Sequence, residues 1–305
     1  MPNKLSSPPT ILVTGSNGQV GFELRRSLAP LGNVVALDRA ACDLSQPERV
    51  RQIVRDLRPA VIVNAAAYTA VDKAESEPER AFVINGTSTG VLGEEARALG
   101  SLLVHYSTDY VFDGTGIGAY VETDAVNPQS VYGKSKLAGE RAIAESGAHA
   151  LVLRTCWVAG AHGGNFAKTM LRLASERDSL RVIADQFGAP TTAGLIADVT
   201  AQIVARHWLA ASPDAFPSGL YHLAAAGETS WHGYAVEVLR YARQLGVDLK
   251  VAPEQVEAIP ATAYPLPAQR PANSRLDTTR LRETFGIYLP GWEQGVHHLL
   301  DQIVQ

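Results

Sequence analysis

Thr10-Ile11-Leu12-Val13-Thr14-Gly15-Ser16-Asn17-Gly18-Gln19-Val20-Gly21 decides how this chain folds. A short apolar run of strand length ends at a glycine. Residues 18–31 then place Val20, Leu24 and Leu28 on one helical face. Strand, glycine turn and helix form the opening of a dinucleotide-binding unit. Gly15 permits the sharp turn, Gly18 lets the backbone approach a pyrophosphate, and Gly21 lets the helix sit close to the strand. The helix N-terminus then meets the phosphate charge. Asn17, Gln19 and Val20 belong to the same turn and are expected beside the cofactor.

The alternation continues outward from that turn. Residues 34–37 read as the second strand, 48–57 as a helix stopped by Pro59, and 60–64 as the third strand. Residues 78–99 read as one long helix closed by Gly100. A fourth strand over 101–106, a helix over 130–146 and a fifth strand over 150–154 follow. Strands alternating with helices imply an α/β fold: a Rossmann-type, doubly wound parallel sheet covered on both faces. Beyond Thr155 the rhythm loosens. Helices are expected over 165–174, 195–211 and 291–304, and a Pro- and Ala-rich loop over 253–271. The organisation expected is a loose tail (1–9), a dinucleotide-binding domain (10–155) and a smaller, mixed α/β substrate-binding lobe (156–305), some of whose segments return to the sheet.

The bulk properties narrow the function. At 305 residues with 46% hydrophobic side chains, the chain can fill a full core. A formal charge of −4 without long runs gives no reason to expect nucleic acid or an anionic membrane as partner. Two cysteines, Cys42 and Cys156, make no disulfide framework, which fits a reducing cytoplasm. The first nine residues lack the apolar stretch of a signal peptide, and runs such as 59–67 are too short to span a bilayer.

Asp38, ending the second strand, can hydrogen-bond an adenosine ribose, whereas Arg39 can pair with a 2′-phosphate. The pair predicts use of both NADH and NADPH. Asp43 and Leu44 lie where side chains border the adenine. The small residues Ala65, Ala66 and Ala67 leave room for a dinucleotide after the third strand.

Tyr132 and Lys136 are four apart and share a helical face. A ketone accepting hydride needs a proton donor at its oxygen, which a tyrosine can supply. A free phenol has a pKa of about 10, and a neighbouring ammonium would lower it. Lys136 is placed to do so and to hold the nicotinamide ribose. Thr108, at the C-terminal end of the fourth strand, can hydrogen-bond the same oxygen. Together these residues point to a carbonyl reductase using a nicotinamide cofactor.

With these motifs the chain resembles the extended short-chain dehydrogenase/reductase superfamily and, within it, the dTDP-4-dehydrorhamnose reductase family. The matching segments are residues 18–21, 64–75, 107–114, 131–136, 153–158, 165–170, 185–191 and 270–277, including Ser107-Thr108-Asp109-Tyr110 and Val131-Tyr132-Gly133-Lys134-Ser135-Lys136. The resemblance implies reduction of the C4 ketone of dTDP-4-dehydro-L-rhamnose by NAD(P)H, yielding a precursor of cell-surface polysaccharide. It places Thr108, Tyr132 and Lys136 at the catalytic positions. It also places Asp109, Trp157, Asn165, Phe166, Gln186, Pro190 and Arg270 around the nucleotide sugar. Arg270 would grip the diphosphate as a fork, and Trp157 or Phe166 would cover an apolar face.

One departure bears on assembly. Some family members carry a glutamate after Ala-Pro-Thr-(small)-Ala that helps bind Mg2+ at a dimer interface. Here Gly194 stands in that position and supplies no carboxylate. A monomer and a homodimer without metal both stay open. His297 and His298 are adjacent and diverge on a helix, so they make no metal site. Two rival readings keep the same fold. A nucleotide-sugar dehydratase would carry a second carboxylate where Tyr110 follows Asp109, and an epimerase would regenerate its cofactor. A regulatory subunit like that of methionine adenosyltransferase would not require Thr108, Tyr132 and Lys136 together.

Overall fold

The computed structural model describes residues 7–304. Residues 1–6 of the expected tail lie outside them, while Pro9 is already tied down by the Asn33 N–H, which donates to its carbonyl at 2.8 Å. The first half of the chain runs β1 (Thr10–Thr14), α1 (Gln19–Leu28), β2 (Asn33–Leu37), α2 (Pro47–Leu57), β3 (Val61–Asn64), α3 (Val71–Ala74), α4 (Pro78–Phe82), α5 (Ser88–Leu99), β4 (Leu102–Thr108), α6 (Val131–Ser146) and β5 (His149–Thr155). The second half adds β6 (Val158–Ala159), α7 (Phe166–Glu176), β7 (Leu180–Ile183), β8 (Phe187–Gly188), β9 (Thr191–Thr192), α8 (Ala193–Ile203), β10 (Gly219–His222), β11 (Thr229–Ser230), α9 (Trp231–Gln244), β12 (Val256–Ile259), α10 (Thr279–Phe285) and α11 (Trp292–Ile303).

Six parallel strands form the central sheet in the order β10-β5-β4-β3-β1-β2. The fold is therefore the Rossmann-type parallel sheet that the alternation implied. The chain moves outward from β1 to β2 and then crosses to β3 on the other side. A crevice opens at that reversal, beyond the strands' C-terminal ends. Alternate side chains feed opposite layers. Ile11 and Val13 pack towards Leu24 and Leu28 of α1 and Ile196 of α8. Leu12, Ile62 and Leu103 face Val54 of α2, Leu92 of α5 and Ile143 of α6. Each such side chain, fully buried, contributes about 1.5–3 kcal/mol of transfer free energy. A separate core, with Met170, Tyr234, Val238, Leu239 and Val296, joins α7, α9 and α11.

Two differences from the sequence expectation matter for the site. The helix expected over 78–99 is interrupted by a π-turn, Val83–Thr87, between α4 and α5. Its buried Asn85 clamps the loop after β3: Oδ1 accepts from Tyr68 N at 2.8 Å, and Nδ2 donates to Tyr68 O at 3.0 Å and Ser135 Oγ at 2.9 Å. Such widened turns leave the apolar spacing on either side nearly intact, so the sequence pattern hides them. The loop expected over 253–271 contains β12, which pairs in parallel with β7.

Candidate active site

The glycine turn is fixed by close approach. Gly15 has φ +69, and a Cβ there would meet Ala66 N at 2.7 Å. A Cβ on Gly21 would drive into the Gly15 carbonyl, so α1 sits flush on the turn. Gly18 offers no side chain to cap α1, which leaves first-turn N–H groups for a phosphate.

A cavity of about 770 Å³ starts at this turn and follows the strand ends. Gly15, Gly18, Gln19 and Val20 line one end, with Arg39, Asp43 and Leu44 beside them. Ala65, Ala66 and Ala67 line its floor. Thr108, Asp109, Tyr132, Lys136 and Trp157 line the rest. Asn17, Gly21 and Asp38 do not line it. Both Asp38 carboxylate oxygens are engaged: Asn17 Nδ2 donates to Oδ2 at 3.0 Å and Ala41 N to Oδ1 at 3.1 Å. Arg39 is exposed at the rim, with Nε 3.8 Å from Asp43 Oδ2. Hydrogen bonding from the Ser45 backbone, foremost, holds the Asp43 carboxyl below its ordinary range.

Thr108 ends β4, and Tyr132 lies in the first turn of α6. That helix begins at Ser130, whose hydroxyl accepts from Gly133 N at 3.1 Å. The Tyr110 ring meets the Tyr132 ring edge-on at 5.4 Å. Burial pushes the Tyr132 phenol up to about 12, and a hydrogen bond with Thr108 opposes this. Lys136 is almost wholly buried. Its Nζ donates to the Tyr106 carbonyl at 2.6 Å and lies 3.0 Å from His105 Nε2. Burial lowers the Lys136 amine to about 8, and the Glu140 carboxylate opposes the shift. The expected acidification of the phenol by this ammonium is therefore not found. Burial is the larger effect, and Nζ is directed at β4.

Behind Lys136, Glu140 is locked. Arg154 donates to it from Nε at 2.9 Å and Nη2 at 2.7 Å, and Ser107 Oγ donates at 2.5 Å. Asp109, 2% exposed, is pushed up to about 6 by burial, against hydrogen bonds from Ser274 and Thr108. Its Oδ1 accepts from Thr108 Oγ1 at 3.1 Å.

At the far end Trp157 holds φ +47, a strained position for a bulky residue. Its ring stacks on Trp231 at 3.8 Å, and Phe166 tilts against the back of Trp231 at 4.7 Å. Trp231 carries no motif, so nothing beyond its aromatic character marks it before the chain folds. His105 and Glu140 were missed likewise, because their roles depend on strand register and helix packing.

Several expected substrate residues do not line the cavity. Asn165 caps α7, its Oδ1 accepting from Lys168 N at 3.1 Å and its Nδ2 donating to Gly160 O at 2.7 Å. It also donates to Gln19 Oε1 at 3.3 Å, linking the two halves. Gln186 and Pro190 are buried. Phe166 lies behind Trp231. Arg270 is paired with Asp72, donating from Nη1 at 2.8 Å and Nη2 at 2.6 Å.

The Mg2+ that the resemblance raised does not suit this chain's own donors. Gly194 shares a cavity with Glu23, Arg26 and Asp198. Arg26 donates to Asp198 at 3.0 Å and to Glu23 at 3.3 Å, so a cation already lies between the two carboxylates. Among the described residues no group of three or more His, Cys, Asp or Glu side chains is arranged to hold a metal, nor is any helix long and apolar enough to cross a membrane.

Comparison with known proteins points to one family. The family model for the RmlD substrate binding domain matches residues 9–305. A dTDP-4-dehydrorhamnose reductase of Burkholderia thailandensis is 53% identical over 286 residues, covering 94% of this chain and 96% of the relative. The Escherichia coli K12 enzyme of that name is 51% identical over 297 residues, covering 96% and 97%. A crystal structure of the Bacillus anthracis dTDP-4-dehydrorhamnose reductase in complex with NADP superposes with a TM-score of 0.87 at 32% identity, covering 96% of this chain and 99% of that one. On the glycine turn, the Thr108, Tyr132 and Lys136 cluster and this full-length similarity, the chain belongs to the dTDP-4-dehydrorhamnose reductase family.

Proposed function

We propose that this protein reduces the C4 ketone of dTDP-4-dehydro-L-rhamnose with NAD(P)H, giving dTDP-L-rhamnose. The observation that carries the reading is the convergence of Thr108, Tyr132 and Lys136 in the same cavity as the glycine turn. Reduced nicotinamide supplies the hydride. Tyr132 supplies the proton from its phenolic oxygen. A phenol at about 12 is fully protonated at neutral pH, so the donor is always loaded. The alkoxide formed by hydride addition is a stronger base than a phenolate, so the transfer runs downhill without prior acidification. Thr108, whose hydroxyl donates to Asp109 Oδ1 in the structure, turns that hydrogen to the ketone oxygen when substrate binds and holds it against Tyr132.

Lys136 donates one ammonium hydrogen to the Tyr106 carbonyl, lies 3.0 Å from His105 Nε2, and keeps at least one hydrogen for the nicotinamide ribose. At the other end Arg39 is exposed at the rim, held only by a loose 3.8 Å ion pair with Asp43, while Asp38 is occupied by Asn17 and Ala41. This favours NADPH over NADH, with both accepted. Asp109 offers hydrogen bonds to the sugar, Trp157 on its Trp231 support offers a flat apolar face, and Arg270 exchanges Asp72 for the diphosphate. Asn165 acts on the pocket through Gln19, and Phe166 acts on it through Trp231 and Trp157.

The direct test is the fall of NADPH absorbance on adding the 4-keto-6-deoxy sugar nucleotide. Oxidation of one NADPH per sugar is expected. A bound cofactor that shows no net oxidation would instead identify an epimerase.

A further inference from the structure

Thr14, Asn64 and His105 are register partners on β1, β3 and β4, side by side across the sheet. All three are essentially fully buried, in strands whose other residues are largely apolar. Thr14 Oγ1 donates to Asn64 Oδ1 at 2.6 Å, and Asn64 Nδ2 lies 3.0 Å from His105 Nδ1. The opposite ring nitrogen, Nε2, lies 3.0 Å from Lys136 Nζ. A buried polar row survives in a core only when its members satisfy one another. This row ends on the catalytic lysine.

We propose that His105 is a positioning residue: braced by Asn64 and Thr14, its Nε2 lone pair holds the Lys136 ammonium charged and aimed at the nicotinamide ribose. The proposal rests on the reductase reading above. The arithmetic of donors supports it. An ammonium has three hydrogens and no lone pair, so its neighbour must be an acceptor. The Tyr106 carbonyl takes one hydrogen and His105 Nε2 takes the second. Burial and the Lys136 charge hold the His105 ring well below its ordinary range, so it is neutral and has that lone pair to give. The single ring proton then belongs on Nδ1, facing Asn64. This tautomer requires the Asn64 carboxamide to stand turned over from the orientation in the structure, its oxygen accepting from Nδ1–H and its nitrogen donating to Thr14 Oγ1.

The other charged or titratable groups around this pair point the same way. Glu140, one turn along α6, favours the ammonium. Its own charge is shared with Arg154 of β5 and Ser107 of β4. Tyr132 on α6 and Tyr106 on β4 are neutral at working pH, both raised by burial. Removing the Nε2 acceptor leaves the ammonium with less to hold it, so Lys136 loses its proton at lower pH.

The test compares wild type, His105→Met and His105→Gln. Methionine keeps the bulk but is at most a weak acceptor, whereas the glutamine oxygen reaches towards the Nε2 position. The alkaline limb of the kcat/KM profile is expected to move towards acid by about one pH unit in His105→Met and to return in His105→Gln. A role in packing alone would lower stability without moving that limb. Limbs that coincide in all three proteins overturn the proposal. Ring 15N NMR of the wild-type protein, with His105 assigned through its backbone, gives a second decision that needs no variant to fold. A proton on Nδ1 is expected, and a proton on Nε2 overturns it. Wild type that fails to oxidise NADPH refutes the reductase reading, and the ring tautomer still judges the positioning of Lys136.

Discussion

Arg270 and Asp72, 198 positions apart, hold each other through two N–H···O bonds of 2.8 and 2.6 Å. Asp72 also accepts from Ala268 N at 3.1 Å. The pair joins the segment after β3 to the late loop of the second half. Asp72 is partly exposed, so the bridge contributes at most about 1 kcal/mol to stability. Binding and folding can therefore be separated. Arg270→Ala is expected to raise KM for the nucleotide sugar by about 10- to 100-fold, the loss of a charge-assisted fork. KM for NADPH and the melting temperature should change little. Steady-state kinetics varying each substrate, with a thermal melt, checks this. An unchanged sugar KM would leave Arg270 as a loop fastener only.

Tyr132→Phe removes the proton donor and keeps the ring against Tyr110. kcat should fall by about 10²- to 10⁴-fold, the usual worth of a positioned general acid. NADPH affinity, measured by nucleotide fluorescence, should be nearly unchanged, because the glycine turn and Lys136 are untouched. Loss of cofactor binding together with turnover would show that the phenol's main role is structural.

Arg39→Ala tests cofactor choice. With Asp38 committed to Asn17 and Ala41, the guanidinium is the rim group suited to a 2′-phosphate. Its loss should weaken NADPH by about 10- to 100-fold, the worth of one to two hydrogen bonds to a charged group. NADH should be nearly unaffected. Parallel kcat/KM measurements with the two cofactors decide it, and equal losses for both would contradict the assignment.

The dinucleotide half was legible because its signals are local. β1, the turn and α1 are set by apolar spacing and by glycines whose added Cβ atoms would strike backbone. Tyr132 and Lys136 were legible because four residues make one helical turn. What escaped depends on long-range packing. His105 reads as one more residue of a buried strand until the register sets it between Asn64 and Lys136. Trp231 and the strained Trp157 meet only after the second half folds back. The sign of the Tyr132 shift escaped as well, since sequence shows the neighbouring charge but not the depth of burial.

Asp109 gives a pH signature. Its carboxyl is raised from 3.8 to about 6 by burial. Between those values the folded chain binds more protons at this site than the unfolded chain. Stability from this group is therefore highest below the unfolded value and falls as pH rises through about 6. Asp109→Asn removes the titration. The stability of the variant relative to wild type should improve by roughly 2–3 kcal/mol between pH 4 and 7, whatever its offset at low pH. Urea unfolding at several pH values measures this. A pH-independent difference would mean that Asp109 is not raised.

The central claim is that hydride reaches C4 of the sugar while Tyr132 protonates its oxygen. Deuteride transfer from [4-²H]NADPH, followed by NMR of the product, tests it most directly. The account predicts deuterium at C4 of dTDP-L-rhamnose with one NADPH consumed per sugar, and little labelled product from Tyr132→Phe in the same time. Unlabelled product, or a Tyr132→Phe protein that transfers deuteride as fast as wild type, would contradict it.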